Sequence, residues 1–184
     1  MSERTDPAAG PFPDRLDPLT GVRFFLALGV VPVIVAPWAQ DAKEPVGEWA
    51  KPLLQGKNPQ MLLGTGTELD TKAIETLAAS KPDVIVAVNS GFDDATFSRL
   101  EAIAPVIRRP AQFSAWQVPW EAQATQVGKA VGLPKATAAK IAETNALLAG
   151  IRRDHPQFAG KTAVVVTGAP DGTVSIYSGG DGRG

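Results

Sequence analysis

The stretch Lys81-Pro82-Asp83-Val84-Ile85-Val86-Ala87-Val88 decides the fold. Upstream of it, between Glu68 and Ala79, the apolar residues Leu69, Ala73, Ile74, Leu77 and Ala78 recur at the spacing that gives a helix one apolar face. Proline cannot continue that helix, so Lys-Pro-Asp reads as a tight turn. The valine and isoleucine run that follows is unbroken, as a parallel strand covered on both faces requires. Helix, turn and buried strand together make the central unit of an α/β lobe with a mostly parallel sheet.

Working toward the N-terminus, Val22 to Leu28 predicts a short helix stopped by Gly29, and Val31 to Ala36 a strand with Pro32 tolerated near its start. Met61 to Leu63 predicts another short strand. Beyond the central strand, Asn89-Ser90-Gly91 is a turn, Phe92 to Ile103 a helix capped by Asp93 or Asp94, and Val106-Ile107 a further strand. Trp116, Trp120, Ala124, Val127 and Val131 are spaced by three or four, which predicts an amphipathic helix closing at Gly132. Pro134 suits a first helical turn, and Lys135 to His155 contains no proline and one glycine, Gly150. That helix spans about 30 Å, with Ile141, Leu148 and Ile151 on its apolar stripe and Leu147 alongside. Thr162 to Thr167, Pro170-Asp171-Gly172 and Thr173 to Tyr177 read as a hairpin.

A chain of 184 residues with 44% hydrophobic and 20% charged residues has globular composition, and a net charge of -1 gives no electrostatic reason to expect nucleic acid as a partner. The absence of cysteine excludes thiol nucleophiles, zinc-thiolate sites and a lipidated cysteine within this sequence. Residues 1–20 carry four prolines and four acidic residues without an apolar core segment, so they are expected to be disordered and to serve neither as a secretory signal nor as an anchor.

The glutamate-bearing helix, the Lys81-Pro82-Asp83 turn and the apolar strand resemble the iron-siderophore and cobalamin substrate-binding proteins of ABC transporters. The resemblance runs from about Leu26 to the C-terminus. Leu26 to Val33, Leu100 to Val106, Trp116 to Leu133 and the helix after Pro134 agree with it in order. It implies a Rossmann-like N-terminal lobe over residues 21–133, a rigid spine helix over 134–158, and the start of a truncated second lobe over 159–184. It also implies a periplasmic or cell-envelope binding protein that captures a ferric siderophore, delivers it to a membrane permease, catalyses nothing and needs no cofactor. The lobe-one glutamate that docks to the permease matches Glu75. The family has one more strand before the first helix, but Asp14 to Thr20 is too polar and proline-rich to suggest it, so the sheet is expected to lack an edge.

Ligands of open α/β sheets sit outside the carboxyl ends of the strands. Trp38, Thr65, Asn89, Ser90 and Phe92 follow predicted strands and are the candidate ligand contacts, with Trp38 suited to a large flat ligand. Against ligand contact, Trp116 and Trp120 one turn apart read better as core. Gly64-Thr65-Gly66-Thr67 lies between a strand and a helix, yet Leu69 replaces the third glycine of the dinucleotide fingerprint and the P-loop lysine is absent. A Rossmann-like nucleotide-binding enzyme is therefore the alternative, alongside a non-functional truncated product. His155, the one histidine, suits the carbonyl end of the long helix. Adjacent Asp93 and Asp94 suit a helix cap better than a metal, and Arg108 and Arg109 suit either solvent or an anionic ligand group.

Overall fold

The computed structural model describes residues 16–18, 21–36, 42–62, 68–168, 172 and 174–176. In chain order these form β1 (Leu16–Pro18), α1 (Val22–Ala27), β2 (Ile34–Val35), a 3-10 segment (Glu48–Leu54), β3 (Gln60–Met61), α2 (Thr71–Ser80), β4 (Val84–Val86), α3 (Asp94–Glu101), β5 (Val106–Ile107), α4 (Trp120–Ala130), α5 (Pro134–Asp154), a 3-10 turn (Pro156–Phe158), β6 (Val166–Gly168) and β7 (Val174–Ile176). This is the α/β architecture with short parallel strands and one long helix that the sequence predicts.

The β4 strand explains why its sequence is apolar without interruption. Ile85 and Ala87 pack with Leu69, Ala73 and Leu77 beside α2 and with Phe97 and Leu100 of α3. Val84, Val86 and Val88 turn to the other face and meet Phe25 of α1 and Val127 of α4. Alternate side chains thus enter two different cores, and neither face is wet. The strand pairs in parallel with β1 on one side and β5 on the other. A second parallel pair, β2 with β3, adjoins through β2 lying beside β1. The spatial order is therefore β3-β2-β1-β4-β5, and the progression of strands reverses direction between β1 and β4.

The β1 strand corrects the expectation of a missing edge. Leu16 pairs with Val84, Asp17 with Ile85 and Pro18 with Val86, so the polar, proline-bearing stretch supplies the strand after all. Three residues are too few to display a period, and what recruits them is the open backbone ladder of β4 rather than their own composition. A second correction concerns Trp116. Helix α4 begins at Trp120 because Pro119 occupies its cap and disfavours helical geometry in the residue before it. Trp116 sits on the preceding loop with φ +65°, outside the helix that spacing assigned to it.

Caps and breakers account for the other boundaries. Asp70 accepts the Ala73 amide at 2.7 Å to start α2, and Asp93, not Asp94, accepts the Thr96 amide at 2.8 Å to start α3. Lys81 ends α2 in the left-handed region at φ +50°, and Pro82 prevents any continuation. Helix α5 crosses α4 where Gly128 leaves room for Thr137, which is buried and donates its hydroxyl to the Leu133 carbonyl at 2.8 Å.

That crossing has a measurable consequence. A Cβ at Gly128 would stand 2.0 Å from Thr137 Oγ1 and 2.6 Å from its Cβ, too close for a side-chain rotation to relieve. Alanine within a helix normally gains about 0.5–1 kcal/mol over glycine. Here overpacking wins, and Gly128→Ala is expected to lower urea-unfolding stability by about 1–3 kcal/mol. Adding Thr137→Ala should return part of that loss. A Gly128→Ala variant at least as stable as the parent would show that the helices separate freely.

Candidate functional site

The loops that leave the carboxyl ends of β4 and β5 meet next to the point, between β1 and β4, where strand order reverses; ligands of open α/β sheets sit outside the carboxyl ends of the strands at such a reversal. After β4 the chain enters Asn89-Ser90-Gly91. Asn89 is buried and its Oδ1 accepts the Val118 amide at 3.2 Å, tying the loop to the segment before α4. Ser90 is fully buried and donates its hydroxyl to the Ala87 carbonyl at 3.0 Å. Both polar side chains are thereby engaged by backbone groups, as buried polar groups must be. Phe92 is also inside, packed edge-on against Phe97 with ring centroids 5.9 Å apart. Trp38 and Thr65 lie outside the described residues.

The two arginines after β5, which sequence alone left equivalent, separate in space. Arg108 folds back on α3: Nε donates to Glu101 Oε1 at 2.7 Å, Nη2 to Glu101 Oε2 at 2.9 Å and Nη1 to Asp94 at 3.3 Å, with its guanidinium 4.5 Å from the Phe97 ring centroid. The hydrogen bond from Arg108 holds the Glu101 carboxyl below the usual glutamate range, and the same bond raises the Arg108 guanidinium above its ordinary value. Arg109 instead donates Nη1 to the Ser90 carbonyl, bridging the β5 and β4 loops. It brings a half-buried cation to the carboxyl edge, with part of its donor fork left over for an anionic group. Sequence reasoning did not find this distinction. The available signal was that Arg109 follows the strand paired with β4.

Other sequence candidates lie elsewhere. Glu75 is exposed on α2, while Ala73 and Leu77 of the same helix face the core. His155 caps the end of α5 and stacks on Phe158, with ring centroids 5.2 Å apart. Trp120 is half-buried at the start of α4, and Trp49 is 69% exposed. Among the described residues no three His, Cys, Asp or Glu side chains gather as metal ligands.

A family profile described as "Periplasmic binding protein" matches residues 19–184. The chain belongs to that family. Its members are binding proteins, not enzymes. Among solved structures, a periplasmic solute binding protein from Mycobacterium smegmatis is similar at 34% identity and TM-score 0.73, over 90% of this chain and 57% of that one. Streptococcus pneumoniae PiaA, solved in complex with ferrichrome, is similar at 27% identity and TM-score 0.75, over 94% of this chain and 59% of that one. Staphylococcus aureus SirA, complexed with staphyloferrin B, shares the fold at 22% identity and TM-score 0.66, over 85% and 51%. No curated protein matches the chain. The periplasmic binding protein sequence thus spans less than two thirds of the length of these solved relatives.

The Arg108 cluster makes stability depend on pH in a defined direction. A carboxyl held below its ordinary pKa contributes stability above the unfolded value of about 4.3 and loses it as pH falls through the folded value. Thermal unfolding of the parent and of Glu101→Gln should therefore differ at about pH 6, with the parent the more stable, and converge below about pH 4. A constant difference across that range would detach the effect from Glu101 ionisation.

Proposed function

We propose that the carboxyl edge of this sheet forms one wall of a ferric siderophore site in the solute-binding component of an ABC importer, facing the periplasm or cell exterior. The observation that carries the reading is the junction of the β4 and β5 loops, next to the strand-order reversal between β1 and β4, where Arg109 braces the Ser90 loop and presents a cation. Ferric siderophores offer anionic or strongly polar oxygens around a bulky surface, and an arginine fork suits such oxygens. Ferrichrome in the similar Streptococcus pneumoniae protein supports the ligand class. Asn89, Ser90 and Phe92 then act by shaping the loop from within, while Trp38 and Thr65, which follow β2 and β3 in the chain, are the proposed direct contacts. Residues 21–133, together with β1 (Leu16–Pro18), would form the first lobe, 134–158 the spine, and 159–184 the opening of a second lobe. Capture of this kind needs no cofactor and no catalytic group.

One wall supplies only part of the contacts of a complete cleft. Titration of the 184-residue chain with ferrichrome, followed by tryptophan quenching, is expected to show saturable binding weaker than about 1 μM. Trp38→Ala should cost a further 1 to 3 kcal/mol, approximately, and Arg109→Ala should weaken binding while leaving the fold intact. No saturable signal with ferric hydroxamate, catecholate or carboxylate siderophores would reject the site. A submicromolar constant would mean that the cleft is complete within these residues.

Glu75 is the proposed docking charge for the permease, since it is exposed on a helix whose opposite face is fixed in the core. An isolated surface charge contributes roughly 0–1 kcal/mol to stability, so it can be read by a partner without cost to the fold. In a transport-competent form, Glu75→Ala is expected to leave siderophore affinity and Tm unchanged and to reduce uptake. Normal uptake in that variant would remove the docking role.

A further inference from the structure

We propose that the groove bounded by α1, α4 and α5 seats an amphipathic helix of a partner protein whose margins carry carboxylates. The site is distinct from the carboxyl-edge junction: neither Asn89, Ser90 nor Arg109 lines it. Its volume is about 740 Å³. The long wall belongs to α5, where Thr137, Ile141, Thr144, Leu148 and Arg152 all face the groove. Those positions advance by four, three, four and four residues, so they hold one helix face for four turns, roughly 22 Å. A small ligand does not span that length, whereas a helix of about 15 residues does, in the helix-in-groove mode.

The lining has two chemistries. Phe24, Leu28, Ala124 and Ile141 make an apolar floor, with the rings of Trp49 and Trp120 beside it. Among the described residues, every charged side chain in the lining is cationic: Arg23, Lys140 and Arg152. Of these, Lys140 pairs with Glu143 at 2.8 Å, and Arg23 lies over the Phe24 ring at 4.9 Å with its pKa lowered by burial. A net charge of -1 makes this rim a local feature rather than an excess of basic residues.

That charge selects the occupant. A second copy docking by two-fold symmetry would set the same cations against one another, which like-charge repulsion opposes. A bilayer is flat, whereas this apolar surface follows a groove between helices. An apolar helical stripe flanked by glutamates satisfies both floor and rim.

The test uses the 184-residue chain and a synthetic helical peptide of about 18 residues with a leucine stripe bordered by glutamates. Calorimetry and tryptophan emission should show saturable binding. The peptide with lysine in place of each glutamate should bind at least about tenfold more weakly. Leu148→Asp should abolish binding, and Arg23→Glu combined with Arg152→Glu should invert the preference between the two peptides, with circular dichroism unchanged in both variants. The proposal is overturned by no saturable binding, by equal binding of both peptides, by a dimer in light scattering that shields Trp49, by binding to phosphatidylglycerol vesicles in place of the peptide, or by shielding of Trp49 in a form of the polypeptide extended past residue 184.

Discussion

The structure depends on one strand being dry on both sides. Residues 84–88 send alternate side chains into separate cores, Ile85 and Ala87 toward α2 and α3, and Val84, Val86 and Val88 toward α1 and α4. Each face must therefore be roofed by helices, and a strand so covered accepts parallel neighbours because the crossovers that join them are those helices. Sheet order, helix placement and the carboxyl-edge junction follow from that constraint. A polar residue at Ile85 or Val86 would have neither water nor partner.

At the junction, ordinary structural needs already engage most of the polar groups. Asn89 and Ser90 satisfy backbone groups of their own surroundings, and Arg108 is neutralised by Glu101 and Asp94. Among the described residues this leaves a loop held by hydrogen bonds and a braced cation, Arg109, at the sheet edge. Rigidity there matters for a binding protein, because a contact held in place before the ligand arrives costs less conformational entropy on capture.

The outer part of the chain has a different character. Leu147, Ile151 and Phe158 are exposed, as are Val164, Val165, Val174 and Ile176 around the antiparallel β6 and β7 pair. Exposed apolar groups in such numbers mark surfaces that meet something else. The relatives with solved structures are longer than this sequence, and the chain spans 57–59% of the first of them.

Helices, breakers and the central strand were legible in the residues, since their signals are local. Lys81-Pro82 must end a helix, Asp93 can cap one, and five apolar residues in a row are what a strand buried on both faces needs. Strand β1 was not legible, because Leu16–Pro18 is a strand only through the ladder that β4 offers it. Nor was the start of α4, where the spacing of Trp116 with Trp120 agreed with a helix and Pro119 overruled it. Arg108 and Arg109 are neighbours in sequence with the same chemistry, yet successive residues after a strand point apart. One therefore reaches Glu101 on α3 and the other the Ser90 carbonyl beyond β4. The sequence by itself determined which segments are helix and which is the buried strand. Only the tertiary structure decided which polar groups are consumed by the fold and which remain for a ligand, because that depends on partners 7 to 29 residues away in the chain.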